Sequence, residues 1–257
     1  MSIDVQGKVV LVTGGSRGIG EAMATALARG GAKVAVASRK REGIDTAAER
    51  IREAVPNAEI AAFVAHMGDP AAVTALMDET ESALGPIDAV INNAATNPYF
   101  GPMLAIDDGA YDKTFAVNTR GYFELARHAA KRMIDGKRPG SIINVASVAA
   151  LRGAPLQGVY AMTKAAVVSM TQTLAVELAV SGIRVNAIAP GYIETKLSSA
   201  IVQNEELNQR ATSRIPLGRV GQPEDIGGTA VFLVSDASSY MTGHTMVVDG
   251  GMTIAVL

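Results

Sequence analysis

The chain has 257 residues, 48% hydrophobic and 19% charged, so it can bury a sizeable core and is not a disordered segment. Its net charge is −2 and no long block of Lys and Arg occurs, which argues against nucleic acid as a partner. Cysteine is absent, which removes disulfides and thiolate chemistry and suits a reducing, cytoplasmic setting.

The opening stretch MSIDVQGKVVLVTGG lacks a charged region followed by a long apolar segment, so no signal peptide is read. No uncharged apolar run reaches about 18 residues, so no membrane span is expected. No metal site is expected either. The run KVVLVT (8–13) reads as a first strand and passes directly into TGGSRGIG (13–20). GEAMATALARGG (20–31) follows as a helix, closed by a glycine stop signal. A tight glycine turn between a buried strand and a helix lets backbone N–H groups approach an anion at the positive helix end. Gly14, Gly18 and Gly20, with Ser16, Arg17 and Ile19 between them, are therefore candidate contacts for a dinucleotide pyrophosphate. Their spacing is not GxGxxG as usually written, and the Gly-Lys-Ser/Thr ending of a triphosphatase loop is missing.

The second strand, KVAVAS (33–38), reports on the dinucleotide. An NAD-type site places an acid at this strand tip to bond the ribose 2′-hydroxyl. Here the tip reads Ser38, Arg39, Lys40, Arg41. A guanidinium grips a 2′-phosphate in a charge-assisted pair, and Arg17 adds a second cation on the same side. NADP(H) is the expected cofactor, with NAD(H) as the alternative.

Further strands are expected at 59–64, 88–92, 141–146, 183–189 and 244–249. Segment 69–85 reads as a helix with Asp69 as N-cap and Pro70 in its first turn. Most strands are continuous apolar runs, as parallel strands buried on both faces require. Alternation of strand and helix implies right-handed crossovers: an α/β, doubly wound parallel sheet of about seven strands, Rossmann-type, in a single domain. The stretch VYAMTKAAV (159–167) places Tyr160 and Lys164 one helical turn apart on one face. On spacing alone they fit the wet edge of an amphipathic helix as well as a reactive pair. A Ser-His-Asp hydrolase reading fails, because His66, His128 and His244 fall in no such motif.

Six motifs then occur in a telling order: TGGSRGIG (13–20), NNAA (92–95), Asn118 in AVNTRG, Ser147 in INVASV, YAMTK (160–164) and APGYIET (189–195). Together, from Lys8 to about Gly251, they resemble the short-chain dehydrogenase/reductase family, with likeness to its 3-oxoacyl-carrier-protein reductase and NADPH-dependent carbonyl reductase branches. The resemblance implies hydride transfer between a nicotinamide and a carbonyl or secondary alcohol. It makes Tyr160 the general acid or base, gives Ser147 a hydrogen bond to the substrate oxygen, and has Asn118 hold a water leading to Lys164. It places Asn93 and Ala94 along the adenosine ribose, and counts Tyr160 and Lys164 among the cofactor contacts as well. Pro190, Gly191, Ile193 and Thr195 fall against the nicotinamide amide and the phosphates, and Met67 near the adenine. His66-Met67 stands where the family commonly has Asp-Val. For the phenol to serve as a base at neutral pH, its pKa of about 10 must fall by about three units, roughly 4 kcal/mol. A lysine charge about 4 Å away supplies roughly that much at an effective dielectric of about 20, and Lys164 is expected to provide it.

Substrate clues lie outside these motifs. Tyr99, Phe100, Met103, Leu151, Leu156, Tyr192 and Leu197 suggest an apolar mouth, though they serve equally as loop anchors. A lid is expected around 192–215. An apolar or 3-oxoacyl ketone fits this mouth better than a sugar. Docking of an acidic acyl carrier requires a basic face, for which Arg127, Lys131, Arg132, Lys137 and Arg138 are candidates. The alternatives are an NAD-dependent alcohol or sterol dehydrogenase and a non-catalytic NADP(H)-sensing regulator. By resemblance the chain is expected to form a homotetramer through helices near 109–135 and 157–180 and the C-terminal segment.

Overall fold

The computed structural model describes residues 3–196 and 205–255. Runs dominated by Val, Ile and Ala form the strands β1 (Val9–Thr13), β2 (Lys33–Ser38), β3 (Ile60–Val64), β4 (Ala89–Asn92), β5 (Gly140–Val145), β6 (Ile183–Pro190) and β7 (Thr245–Val248). They make one sheet in the order β3-β2-β1-β4-β5-β6-β7, and every neighbouring pair is parallel. Chain order reverses between β1 and β4, which opens a crevice at the carboxyl ends of these strands, the usual ligand position in such sheets.

The helices are α1 (Gly18–Arg29), α2 (Arg41–Ala54), α3 (Pro70–Leu84), α4 (Asp108–Phe115), α5 (Gly121–Asp135), α6 (Gly158–Leu178), α7 (Glu205–Thr212) and α8 (Glu224–Val234). One face of the sheet is covered by α1, α2 and α8, through Met23, Leu27, Ile44, Ile51, Ile226 and Leu233. The other is covered by α3, α5 and α6, through Val73, Leu76, Leu125, Met133 and Ala175. Burial on both faces explains why the strands read as continuous apolar runs. Asp69 caps α3 as expected, its carboxylate accepting from Ala71 N at 2.9 Å, with Pro70 in the first helical position.

One expected element differs. The segment near 109–135 reads as a single helix, but α4 and α5 are separated by a π turn over Ala116–Arg120, in which Gly121 N donates to Ala116 O. The turn runs into a close approach: a Cβ at Gly121 would clash with the Met67 carbonyl oxygen. Asn118 lies within the π turn. Among the described residues, no helix is long and apolar enough to cross a membrane.

Candidate active site

The glycine turn is held from two sides. Asn93, just past β4, donates through Nδ2 to Thr13 O at 2.9 Å and Gly14 O at 3.2 Å. Thr13 Oγ1 accepts from the backbone N–H groups of Asn93 and Ala94 at 3.0 and 3.2 Å. On the other side Arg50 of α2 grips both oxygens of Glu21 at 2.7 Å and reaches the Ser16 carbonyl at 3.3 Å. The space is tight enough to demand glycine: a Cβ at Gly20 would meet Gly14 O at 2.3 Å, and one at Gly14 would meet Ala94 Cα at 2.8 Å.

This cradle fits a dinucleotide. The first turn of α1 receives no side-chain cap from Arg17, so its N–H groups stay available to an anion. Ile19 lies in that turn and packs on the core beneath it. Thr195 sits over the turn, its Cγ2 3.2 Å from where a Gly18 Cβ would be. Gly191 follows Pro190 at the end of β6 and packs against Asp249, while Ile193 is buried and bridged to Gly221. Ser38 and the exposed Arg39 stand at the β2 tip, and Arg17 is exposed beside the turn. Arg41, by contrast, turns away to Asp45 and the Ala62 carbonyl. Met67 is buried against Gly121, whereas His66 is exposed, its ring accepting from Gly68 N at 3.1 Å.

At the ends of β5 and β6 the second group of residues converges. Ser147 caps a short 3-10 turn through Ala149 N at 3.1 Å, and its side chain lies near enough to the Tyr160 hydroxyl to favour the phenolate. The capping role read as one alternative in the sequence is present, and the same serine stands beside the tyrosine. Lys164 lies one turn along α6 and is 1% exposed. Its Nζ donates to the Val145 carbonyl at 2.7 Å and to the Tyr122 hydroxyl at 3.0 Å, and stands 5.7 Å from the Tyr160 ring centre. Asn118 is fully buried; its amide accepts from Thr96 N at 2.8 Å and donates to Thr96 O and Thr163 Oγ1. Thr163 in turn donates to the Tyr160 carbonyl at 2.7 Å, so Asn118 steadies α6 at the tyrosine.

The electrostatics correct one expectation. Burial pushes the Tyr160 phenol up to about 12, with the Ser147 bond pulling partly the other way. Burial also brings Lys164 down to about 7. Desolvation is the largest influence on both groups and disfavours both charged forms, so the phenol is held toward its neutral form rather than acidified.

The mouth is lined as expected in part. Gly101 N donates to the Leu156 carbonyl at 2.9 Å, joining the loop after β4 to the loop before α6, and Met103 packs over Gly158. Phe100, Met103, Leu151 and Leu156 are partly exposed there. Tyr99 is an anchor, its hydroxyl bonded to the Pro102 carbonyl at 3.0 Å. Tyr192 is half-buried after β6. Leu197, and the part of the expected 192–215 lid spanning 197–204, lie outside the described residues.

A family model described as enoyl-(acyl carrier protein) reductase matches residues 14–253, nearly the whole chain. The chain belongs to the short-chain dehydrogenase/reductase family. It is 39% identical over 251 residues to L-rhamnose 1-dehydrogenase (NAD(P)(+)) of Azotobacter vinelandii, covering 96% of this chain and 97% of that one. It is 37% identical over 250 residues to the 3-oxoacyl-[acyl-carrier-protein] reductase FabG of Thermotoga maritima, covering 97% and 99%. A crystal structure of a gluconate 5-dehydrogenase from Burkholderia cenocepacia, in complex with NADP and tartrate, superposes with a TM-score of 0.93 at 36% identity, covering 99% and 98%. As a short-chain dehydrogenase/reductase the chain is an NAD(P)-dependent oxidoreductase, which sets aside the non-catalytic regulator.

Three structural participants escape the motif reading of this family member. Thr13, adjacent to the glycines, carried a usable signal as a polar residue ending a buried strand. Thr163 lies inside YAMTK but reads as helix filler. Tyr122 carries no sequence signal, because its partner is 42 positions away.

Proposed function

We propose that the chain reduces a ketone to a secondary alcohol, with NADP(H) preferred over NAD(H), and that Tyr160 delivers the proton. The neutral Tyr160 hydroxyl beside Ser147, at the carboxyl end of the sheet, carries this reading. The bound nicotinamide supplies hydride. Ser147 donates a hydrogen bond to the carbonyl oxygen and orients it. Tyr160 gives its proton to the same oxygen as negative charge develops. A phenol with a pKa of about 12 is still a far stronger acid than an alcohol, so this transfer runs downhill. Lys164, when charged, stabilises the phenolate left behind. Alcohol oxidation requires that phenolate beforehand, and the buried site opposes it.

Gly14, Ser16, Gly18, Ile19 and Gly20 hold the pyrophosphate in this reading. Asn93 and Ala94 line the ribose, Met67 the adenine, and Pro190, Gly191, Ile193 and Thr195 the nicotinamide half. NADP(H) preference is supported by Arg39, exposed at a β2 tip without an acid, and by Arg17, exposed in the glycine turn. The gluconate 5-dehydrogenase neighbour holds NADP.

A small free ketone suits the site better than a carrier-bound one. Of the candidate basic face, Arg127 pairs with Glu124, Lys131 with Asp135, Arg132 with Asp78 and Glu81, and Arg138 with Asp88. Among the described residues Lys137 alone of the five has no carboxylate partner, which leaves little positive charge there to attract an acidic carrier. The partly exposed Phe100, Met103, Leu151 and Leu156 favour an apolar ketone. A second reading, a sugar or polyol, is supported by the L-rhamnose 1-dehydrogenase relative and by the exposed Arg152 in the same loop. A panel of apolar ketones, 3-oxoacyl thioesters, sugars and their alcohols, followed by nicotinamide absorbance with both cofactors, separates these readings. Turnover of ketones with NADPH supports the proposal; turnover confined to sugars or to NADH refutes it.

A homotetramer is part of the same reading. It is supported by Phe123 and Ile134 on α5 and Val176 and Val180 at the end of α6, all exposed. Light scattering is expected to give four times the 26.6 kDa chain mass, and a monomeric mass contradicts it.

A further inference from the structure

Immediately after the π turn, the second residue of α5, Tyr122, points into the protein and is 1% exposed. It is fixed at both ends. Its backbone carbonyl accepts from Asn92 Nδ2 at 3.2 Å, and its hydroxyl donates to the Val145 carbonyl at 3.2 Å. The same hydroxyl oxygen accepts from Lys164 Nζ at 3.0 Å, and that nitrogen stands 4.6 Å from the centre of the Tyr122 ring. The resemblance has Asn118 help hold a water leading to Lys164, and the amide of Asn118 itself bonds Thr96 and Thr163. Tyr122 is the side chain in contact.

We propose that Tyr122 is a positioning residue for the reaction: its hydroxyl and ring hold the Lys164 ammonium beside Tyr160 and favour its charged form. The proposal rests on the reading of Tyr160 and Lys164 as the reacting pair. A buried ammonium with no acceptor sheds its proton. Here two of its three N–H groups meet oxygens, and the aromatic face adds cation–π attraction. The titratable groups facing it are the two phenols, Tyr122 from α5 and Tyr160 from α6, while β5 contributes the Val145 carbonyl. Among the described residues no carboxylate bonds to it. Of its two acceptors, only the Tyr122 hydroxyl can be removed by substitution.

The test is a titration of Lys164 by carbon NMR of labelled lysine side chains, with the resonance assigned by its loss in Lys164→Met. Tyr122→Phe keeps the ring and deletes the acceptor. Its midpoint is expected to fall by about one pH unit, a tenfold weaker hold on the proton. With the most active ketone of the panel above, kcat is expected to fall while cofactor affinity is unchanged. Tyr122→Leu, which removes the aromatic face as well, is expected to show a larger fall in midpoint and serves where the phenylalanine form does not fold. Tyr122→Gln, which returns an oxygen acceptor, is expected to recover part of it. An unmoved midpoint overturns the proposal even if the melting temperature drops, because a residue that only packs the core changes stability alone. A moved midpoint with unchanged kcat overturns it as well. A moved midpoint in a protein that turns over no ketone counts against the proposed function and for the lysine contact.

Discussion

Lys164 Nζ lies 5.7 Å from the centre of the Tyr160 ring, yet its hydrogen bonds run to the Tyr122 hydroxyl and the Val145 carbonyl. The two groups are neighbours without being partners. Each loses hydration in the same enclosure, and that loss moves both toward neutrality. Both groups are held toward their neutral forms, so the proton rests on the phenol.

A lysine held near 7 in the folded protein, against about 10.4 when exposed, takes up a proton on unfolding between those values. Stability from this group therefore rises with pH across that window, and the burial cost is full below about pH 7. Lys164→Met is expected to be inactive yet to melt about 2–6 °C higher near pH 6, with the gain shrinking toward pH 10. Calorimetry across pH checks this. An equal shift at every pH would mean that Lys164 titrates as an exposed lysine does.

Replacing Arg39 by Asp exchanges a guanidinium for a repelling carboxylate at the β2 tip. NADPH affinity is expected to fall tenfold or more, from a lost charge-assisted bond of about 1.5–3 kcal/mol, while NADH affinity stays within about threefold. Fluorescence titration with both nucleotides reads the ratio. An unchanged ratio removes the 2′-phosphate argument.

Gly20→Ala is expected to be damaging although helix propensity favours alanine. The new methyl meets Gly14 O at 2.3 Å and Asn93 Nδ2 at 2.5 Å, both held in place. A loss of about 1–3 kcal/mol in urea unfolding is expected, with weaker binding of either dinucleotide. Wild-type stability together with wild-type affinity would show that the turn has more room than its geometry implies.

The sheet was legible because its strands are buried on both faces and so announce themselves as apolar runs; β2 occupies the expected 33–38, and the other strands deviate by a residue at their ends. The glycine turn was legible for a similar reason, since close backbone approach leaves a compositional mark. Tyr122 was not, because its contact joins helix and helix across 42 positions with no local periodicity. The π turn was hidden too: the glycine that follows it packs against the Met67 carbonyl from another crossover, a contact that leaves no local periodicity. The sign of the phenol's shift depends on burial, which spacing along a helix does not report. A pair four residues apart looks the same in water and in a core.

The account stands most directly on one oxygen atom. Tyr160→Phe removes it and leaves the ring, α6 and the glycine cradle intact. Calorimetric titration is expected to return NADPH affinity within about threefold of the unaltered protein, and ketone turnover is expected to fall about a hundredfold or more. Turnover that survives in Tyr160→Phe at close to its original rate would contradict the assignment of the proton to this hydroxyl.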